Sequence, residues 1–314
     1  MVNIRFYALI LLIFNALPAS NALCQTYGLA LHGGAGYMTP EGLGPEKAKA
    51  YEEALQMALE IGYSTLKKGE SSENAVVNVI MYLEDSPLFN AGKGAVLNAE
   101  GQVEMDASIM LGKDKNAGAV AGVTTIKHPI QAAALVMNES KHVMMAGDGA
   151  EKFAKSKKLE MEDPSYFITE ERRTSLKKMQ EKKSMELDRE QYKGSKGPSD
   201  VLNSKFGTVG VVALDQKGNL AAGTSTGGMS NKMYNRIGDS PVIGAGTYAD
   251  NATCAVSCTG HGEYFIRLSI AHEVSALMKH RQWDLDKAAS HVIHVELEEL
   301  GGEGGIIALD RKGN

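Results

Sequence analysis

Gly207-Thr208-Val209-Gly210-Val211-Val212-Ala213-Leu214-Asp215-Gln216-Lys217-Gly218-Asn219, with the run Leu220-Ala221-Ala222-Gly223-Thr224-Ser225-Thr226 that follows it, has the composition of a buried β-hairpin. Small and β-branched residues from Thr208 to Leu214 suit a strand packed on both faces. The Asp, Gly and Asn of Asp215 to Asn219 suit a tight turn. A turn centred on Lys217 pairs residues whose numbers sum to 434, so Thr208 faces Thr226. Directly opposed side chains have Cβ atoms about 4.5–5.5 Å apart, which brings two hydroxyls together where the strand begins. A slip of one residue would separate them to opposite faces.

The same pattern occurs again at the other end of the chain. Gly302-Glu303-Gly304-Gly305-Ile306-Ile307-Ala308-Leu309-Asp310-Arg311-Lys312-Gly313-Asn314 repeats the spaced glycines, the two β-branched residues, Ala-Leu-Asp and Lys-Gly-Asn. Strand and turn explain everything the copies share, and Thr208 is not shared: Glu303 stands in its place. Thr208 is therefore a candidate for chemistry. A threonine hydroxyl is a weak nucleophile near neutral pH and needs a base. Cleavage of the Gly207–Thr208 bond would supply one, since the new α-amino group, with a pKa near 8, lies on the same residue. Gly207 best tolerates the backbone that turns the Thr208 hydroxyl onto the preceding carbonyl.

Working outward, the run Gly28 to Leu31 predicts a strand ending in the glycine turn His32-Gly33-Gly34-Ala35-Gly36, with His32 expected to be structural. Tyr51, Ala54, Leu55, Ala58 and Ile61 have helical spacing, and a second helix carries Ala75, Val76, Val79, Ile80 and Leu83 on one stripe after a serine cap at Ser71 or Ser72. Strands are expected at Val103 to Leu111, Ala117 to Ile126 and His142 to Ala146, with a helix opened by Pro129 between the last two. From Glu151 to Gly207 the chain reads as a flexible linker, because Glu170 to Lys196 is mostly Glu, Lys and Arg without an apolar stripe; a solvated helix over Glu170 to Tyr192 is the alternative.

With 314 residues, 43% of them hydrophobic, the chain can bury a large core. A net charge of −5 and the lack of a basic stripe speak against nucleic acid as a partner. Arg5, the apolar stretch Tyr7 to Phe14 and the small residues before Leu23 predict a signal peptide over residues 1–22, and hence export to the periplasm or outside the cell with no membrane association afterwards. Of the three cysteines, Cys254 and Cys258 share one predicted strand, about 13 Å apart and beyond disulfide reach, so both are expected to be buried thiols.

Several motifs in order resemble the plant-type asparaginase and isoaspartyl peptidase family of N-terminal-nucleophile hydrolases. They are His-Gly-Gly-Ala-Gly from His32, Pro-Leu-Phe-Asn-Ala-Gly-Lys-Gly from Pro87, Gly-Thr-Val-Gly from Gly207, Thr-Ser-Thr-Gly-Gly-Met from Thr224, Arg-Ile-Gly-Asp-Ser-Pro from Arg236, Gly-Ala-Gly-Thr-Tyr-Ala from Gly244 and Ser-Cys-Thr-Gly-His-Gly-Glu from Ser257. The resemblance runs from about Tyr27 to the chain end. It implies a four-layer αββα sandwich, a single α/β domain with segments 23–150 and 208–314 becoming two subunits after self-cleavage, and a dimer of such heterodimers. It implies Thr208 as nucleophile, Thr226 and Asn90 beside it, and Thr259 with Gly260 at the oxyanion. It also implies Arg236 and Asp239 on the substrate α-carboxylate and α-amine, with Gly262 lining the pocket. An arginine fork matches a carboxylate and an aspartate matches an ammonium, so the chemistry agrees.

No cofactor is implied for catalysis. The family's structural sodium loop would correspond to backbone carbonyls of Leu83, Glu84, Ser86, Phe89, Ala91 and Lys93. The substrates implied are small molecules, asparagine or β-aspartyl dipeptides. A glycosylasparaginase is the enzymatic alternative, and a non-cleaving aspartate-binding protein the other. The latter arises because the repeat at Asn314 lacks the return strand that the first copy has, which reads as a shortened C-terminal segment.

Overall fold

The computed structural model describes residues 26–35, 43–193 and 207–314. The expected signal peptide, Cys24 and the end of the expected linker at 194–206 lie outside the described residues. A six-stranded sheet has the order β1-β5-β6-β2-β3-β4, formed by β1 (Gly28–His32), β2 (Met105–Leu111), β3 (Ala117–Val123), β4 (Met144–Ala146), β5 (Val209–Leu214) and β6 (Leu220–Thr226). All its pairs are antiparallel except β3 with β4. A second, antiparallel sheet has the order β7-β8-β9: β7 (Thr247–Ala249), β8 (Cys254–Gly260) and β9 (Gly304–Asp310).

Helices α1 (Pro45–Lys67), α2 (Ser72–Asp85), α3 (Pro129–Glu139) and α4 (Gly147–Ser156) cover the outer face of the first sheet. The second sheet packs on its inner face, and α6 (Gly262–Leu268), α7 (Ile270–Arg281) and α8 (Leu285–His291) close the far side. The result is the αββα sandwich. The buried reading of β5 has a direct cause in this stacking: Val209, Val211 and Ala213 enter the core under α2, while Val212 and Leu214 face the second sheet. Burying one such side chain contributes about 1.5–3 kcal/mol, so a strand sunk on both sides is firmly placed. Cys254 and Cys258 are buried free thiols on β8.

The linker expected from Glu151 onward is corrected over its described part. Ala154 on α4, Phe167 in a short 3-10 turn and Leu176 on α5 (Glu170–Lys193) are buried in the first core. Arg172 Nε donates to Gly94 O at 2.7 Å, and Thr169 Oγ1 accepts from Arg172 N at 3.2 Å. These anchors, with half-buried Phe153, Leu159, Met161, Tyr166 and Ile168 packed beside them, are too irregularly spaced to read as a periodic stripe, while Glu, Lys, Arg, Gln and Met are good helix formers. The helical alternative over this segment is the one the chain adopts.

Candidate active site

The hairpin register fixes the centre of the site. Val209 pairs with Ser225, so Thr208 and Thr226 stand opposite one another. Thr208 Oγ1 donates to Thr226 Oγ1 at 3.2 Å, and the Thr226 hydroxyl donates to the Gly207 carbonyl at 3.1 Å while accepting from Gly228 N at 3.0 Å. Asn90 arrives from the loop after α2. Its Nδ2 donates to Gly207 O at 2.6 Å and to Gly228 O at 2.8 Å, and its Oδ1 accepts from Val96 N at 2.8 Å, which fixes the amide's orientation. Thr208, Thr226 and Asn90 are all buried. The carbonyl of the Gly207–Thr208 bond thus faces two donors, the arrangement that stabilises a developing oxyanion.

A second wall comes from the turn after β1. The backbone of Gly34 lies so close to Gly207 and Thr208 that a Cβ there would stand 2.7 Å from Gly207 Cα. The next residue, Ala35, donates its N–H to Thr259 Oγ1 at 2.9 Å. Thr259 therefore meets the nucleophile region through this turn, and Gly260 follows it on β8 opposite Gly304. His32 Nε2 lies 3.2 Å from Ser257 Oγ, and burial pushes the imidazole down to about 4, so it is neutral and held in the layer between the sheets.

The third wall holds opposed charges. A Cβ on Gly262 would stand 2.8 Å from Asp239 Oδ1 and 2.9 Å from Arg236 Nη2, so the structure gathers all three, and only a glycine leaves room between them. Asp239 is buried with Oδ2 lacking a hydrogen-bond partner, and that burial raises its carboxyl to about 7. Arg236 does not pair with it. Its Nε and Nη2 instead grip Glu263 at 2.8 and 2.7 Å. The pocket thus offers an unmatched buried carboxyl beside a guanidinium held along one edge.

The sequence model of the asparaginase family matches residues 25–314. The chain belongs to this family. It is 46% identical over 286 residues to the isoaspartyl peptidase of Escherichia coli (strain K12), covering 91% of this chain and 87% of that protein. It is 42% identical over 301 residues to the probable isoaspartyl peptidase/L-asparaginase 2 of Arabidopsis thaliana, covering 91% and 90% respectively. With the isoaspartyl peptidase/L-asparaginase of Rattus norvegicus the identity is 43% over 286 residues, 91% of this chain and 81% of that protein.

Against this family background, the loop Leu83 to Lys93 closes tightly. Gly92, at φ 51°, abuts the Glu84 carbonyl, and Gly94 abuts that of Phe89. The family resemblance gives a role only to the backbone of Glu84. Its buried side chain also matters: Oε1 accepts from Ile130 N at 3.1 Å and Ser225 Oγ at 2.6 Å, and burial raises the carboxyl to about 8. Glu263 closes the motif that starts at Ser257 but carries no role in the resemblance. Gly34 carried none either, because a glycine run signals a turn without saying what it touches.

Proposed function

We propose that the chain is a self-activating threonine amidohydrolase that hydrolyses β-aspartyl dipeptides and L-asparagine. The observation that carries this reading is the pair of donors, Asn90 Nδ2 and Thr226 Oγ1, on the carbonyl of Gly207 next to the Thr208 hydroxyl. In the first stage Thr208 Oγ1 attacks the Gly207 carbonyl carbon, and the two donors meet the oxyanion. The C–N bond breaks, the acyl group passes to oxygen, and water hydrolyses the ester to leave a free α-amine on Thr208.

In the second stage that amine takes the hydroxyl proton as Thr208 attacks the substrate's side-chain carbonyl. Ammonia or an amino acid leaves, and water then releases aspartate. Asp239 would accept the substrate α-ammonium and Arg236 the α-carboxylate, with Thr259 and Gly260 lining the acyl end. The names of the relatives support the substrate class. The carbonyls of Leu83, Glu84, Ser86, Phe89, Ala91 and Lys93 would hold a sodium ion that stiffens the loop presenting Asn90; its role is structural.

Intact mass and N-terminal sequencing after incubation near neutral pH test the first stage. A fragment beginning Thr208-Val209-Gly210 is expected, followed by aspartate release from a β-aspartyl dipeptide. A chain that stays whole and releases no aspartate overturns the reading.

A further inference from the structure

Lys232 is a buried cation at the edge of the site. Its side chain is only 1% exposed, Nζ donates to Glu104 O at 2.8 Å, and it stands 3.5 Å from Glu104 Oε2. Its backbone is tied as well, with Lys232 O accepting from Ala99 N at 2.8 Å. An ammonium is expensive to bury, and a methionine of similar length would fill such a space more cheaply. The charge therefore calls for a use beyond packing.

Gly228 shows where that charge acts. It has φ 79°, and a Cβ there would stand 3.0 Å from Lys232 Nζ, so the ammonium lies directly against this residue. The N–H of Gly228 goes to Thr226 Oγ1, and its carbonyl takes Asn90 Nδ2. One residue, backed by one ammonium, thus holds both groups that touch the Gly207 carbonyl. Glu104 is its counter-ion; Asp106, opposite Thr226 across the sheet at a bulge in β2, feels the same charge at longer range and has a buried Oδ2 without a hydrogen-bond partner.

We propose that Lys232 is a positioning residue for Thr226 and Asn90, acting through Gly228, and that its charge favours the negative charge that builds on the reacting oxygens. This rests on the function proposed above and deepens it. A fixed cation near a developing oxyanion helps the transition state more than the bound substrate, so its removal is felt in kcat and self-cleavage and not in KM.

The test compares native chain, Lys232→Met and Lys232→Arg, each checked by circular dichroism and melting. Folded Lys232→Met is expected to self-cleave and turn over about 30-fold more slowly, with KM within about threefold, and Lys232→Arg to recover most of the loss. Native-like rates in folded Lys232→Met, or a loss confined to KM, overturn the proposal. If Lys232→Met does not fold, Lys232→Gln serves instead: its amide can still donate to Glu104 O but carries no charge. A drop of several-fold in kcat at unchanged melting temperature supports the proposal, and an unchanged kcat overturns it. The native chain run in parallel separates the claims: native turnover with unaffected variants removes the role of Lys232 alone, whereas an inert native chain removes the function and the role together.

Discussion

The two copies of the repeated pattern fold into nearly the same turn and sit in entirely different surroundings. Asp215 Oδ1 accepts from Lys217 N and Asn219 N, both at 2.9 Å; Asp310 Oδ1 accepts from Lys312 N and Asn314 N at 2.8 and 3.0 Å. Both turns have a left-handed glycine, Gly218 at φ 76° and Gly313 at φ 87°. Yet β5 is buried throughout between two strands, whereas β9 is an edge strand and partly exposed. At the strand entrance Thr208 meets Thr226, while the corresponding Glu303 is exposed and offers its carbonyl to His261 N. Local chemistry makes the turn. Position within the sandwich makes the site.

The sharpest way to break this contrast is Thr208→Ala, which gives the first copy an inert entrance like the second. Self-cleavage and hydrolysis should both fall by about 1000-fold or more with the fold retained, as read by intact mass and aspartate release. Asn90→Ala removes one of the two donors on the Gly207 carbonyl and should slow self-cleavage by about 100-fold, measured as the rate at which the fragment beginning at Thr208 appears.

Asp239→Asn should raise KM for a β-aspartyl dipeptide by about 10-fold or more, since an amide cannot pair with an ammonium. It should also change the pH profile. The native carboxyl, raised to about 7 by burial, must lose its proton to bind, so kcat/KM falls as pH drops below that value. The Thr208 amine, with an ordinary pKa near 8, must also be unprotonated and gives a second acid limb. The native acid limb should therefore approach a slope of two and the variant a slope of one; equal slopes would remove Asp239 from the binding step.

The smallest effect addresses the turns themselves. Asp215 Oδ2 also lies 3.2 Å from Ser72 N at the start of α2, a contact with no counterpart among the hydrogen bonds of Asp310. Asp215→Ala should cost about 2–3 kcal/mol in urea unfolding and Asp310→Ala about 1 kcal/mol. Equal losses would mean that the tertiary contact adds nothing to the turn.

Much of the hairpin was legible beforehand because its information is local. Turn residues set the register, and the register alone brings Thr208 to Thr226. The αββα layering and the pocket roles of Arg236 and Asp239 rested on motif resemblance; here the structure supplied the proximity of Arg236, Asp239 and Gly262, with Arg236 gripping Glu263. The segment after Glu151 was misread as a linker because its buried contacts, Phe167 and Leu176, are sparse and find their partners far away in sequence.

By itself, then, the sequence determined the strand, the turn and the odd threonine, since pairing in a hairpin depends on residues a few positions apart. Tertiary structure alone decided what surrounds that threonine. Asn90, Gly34 and Lys232 come from three separate segments, and the approach of the first two to Gly207, like that of Lys232 to Gly228, depends on how the loop after α2, the turn after β1 and the segment at Gly228 pack against one another. Those are long-range steric and hydrogen-bonding constraints, which no periodicity along the chain encodes.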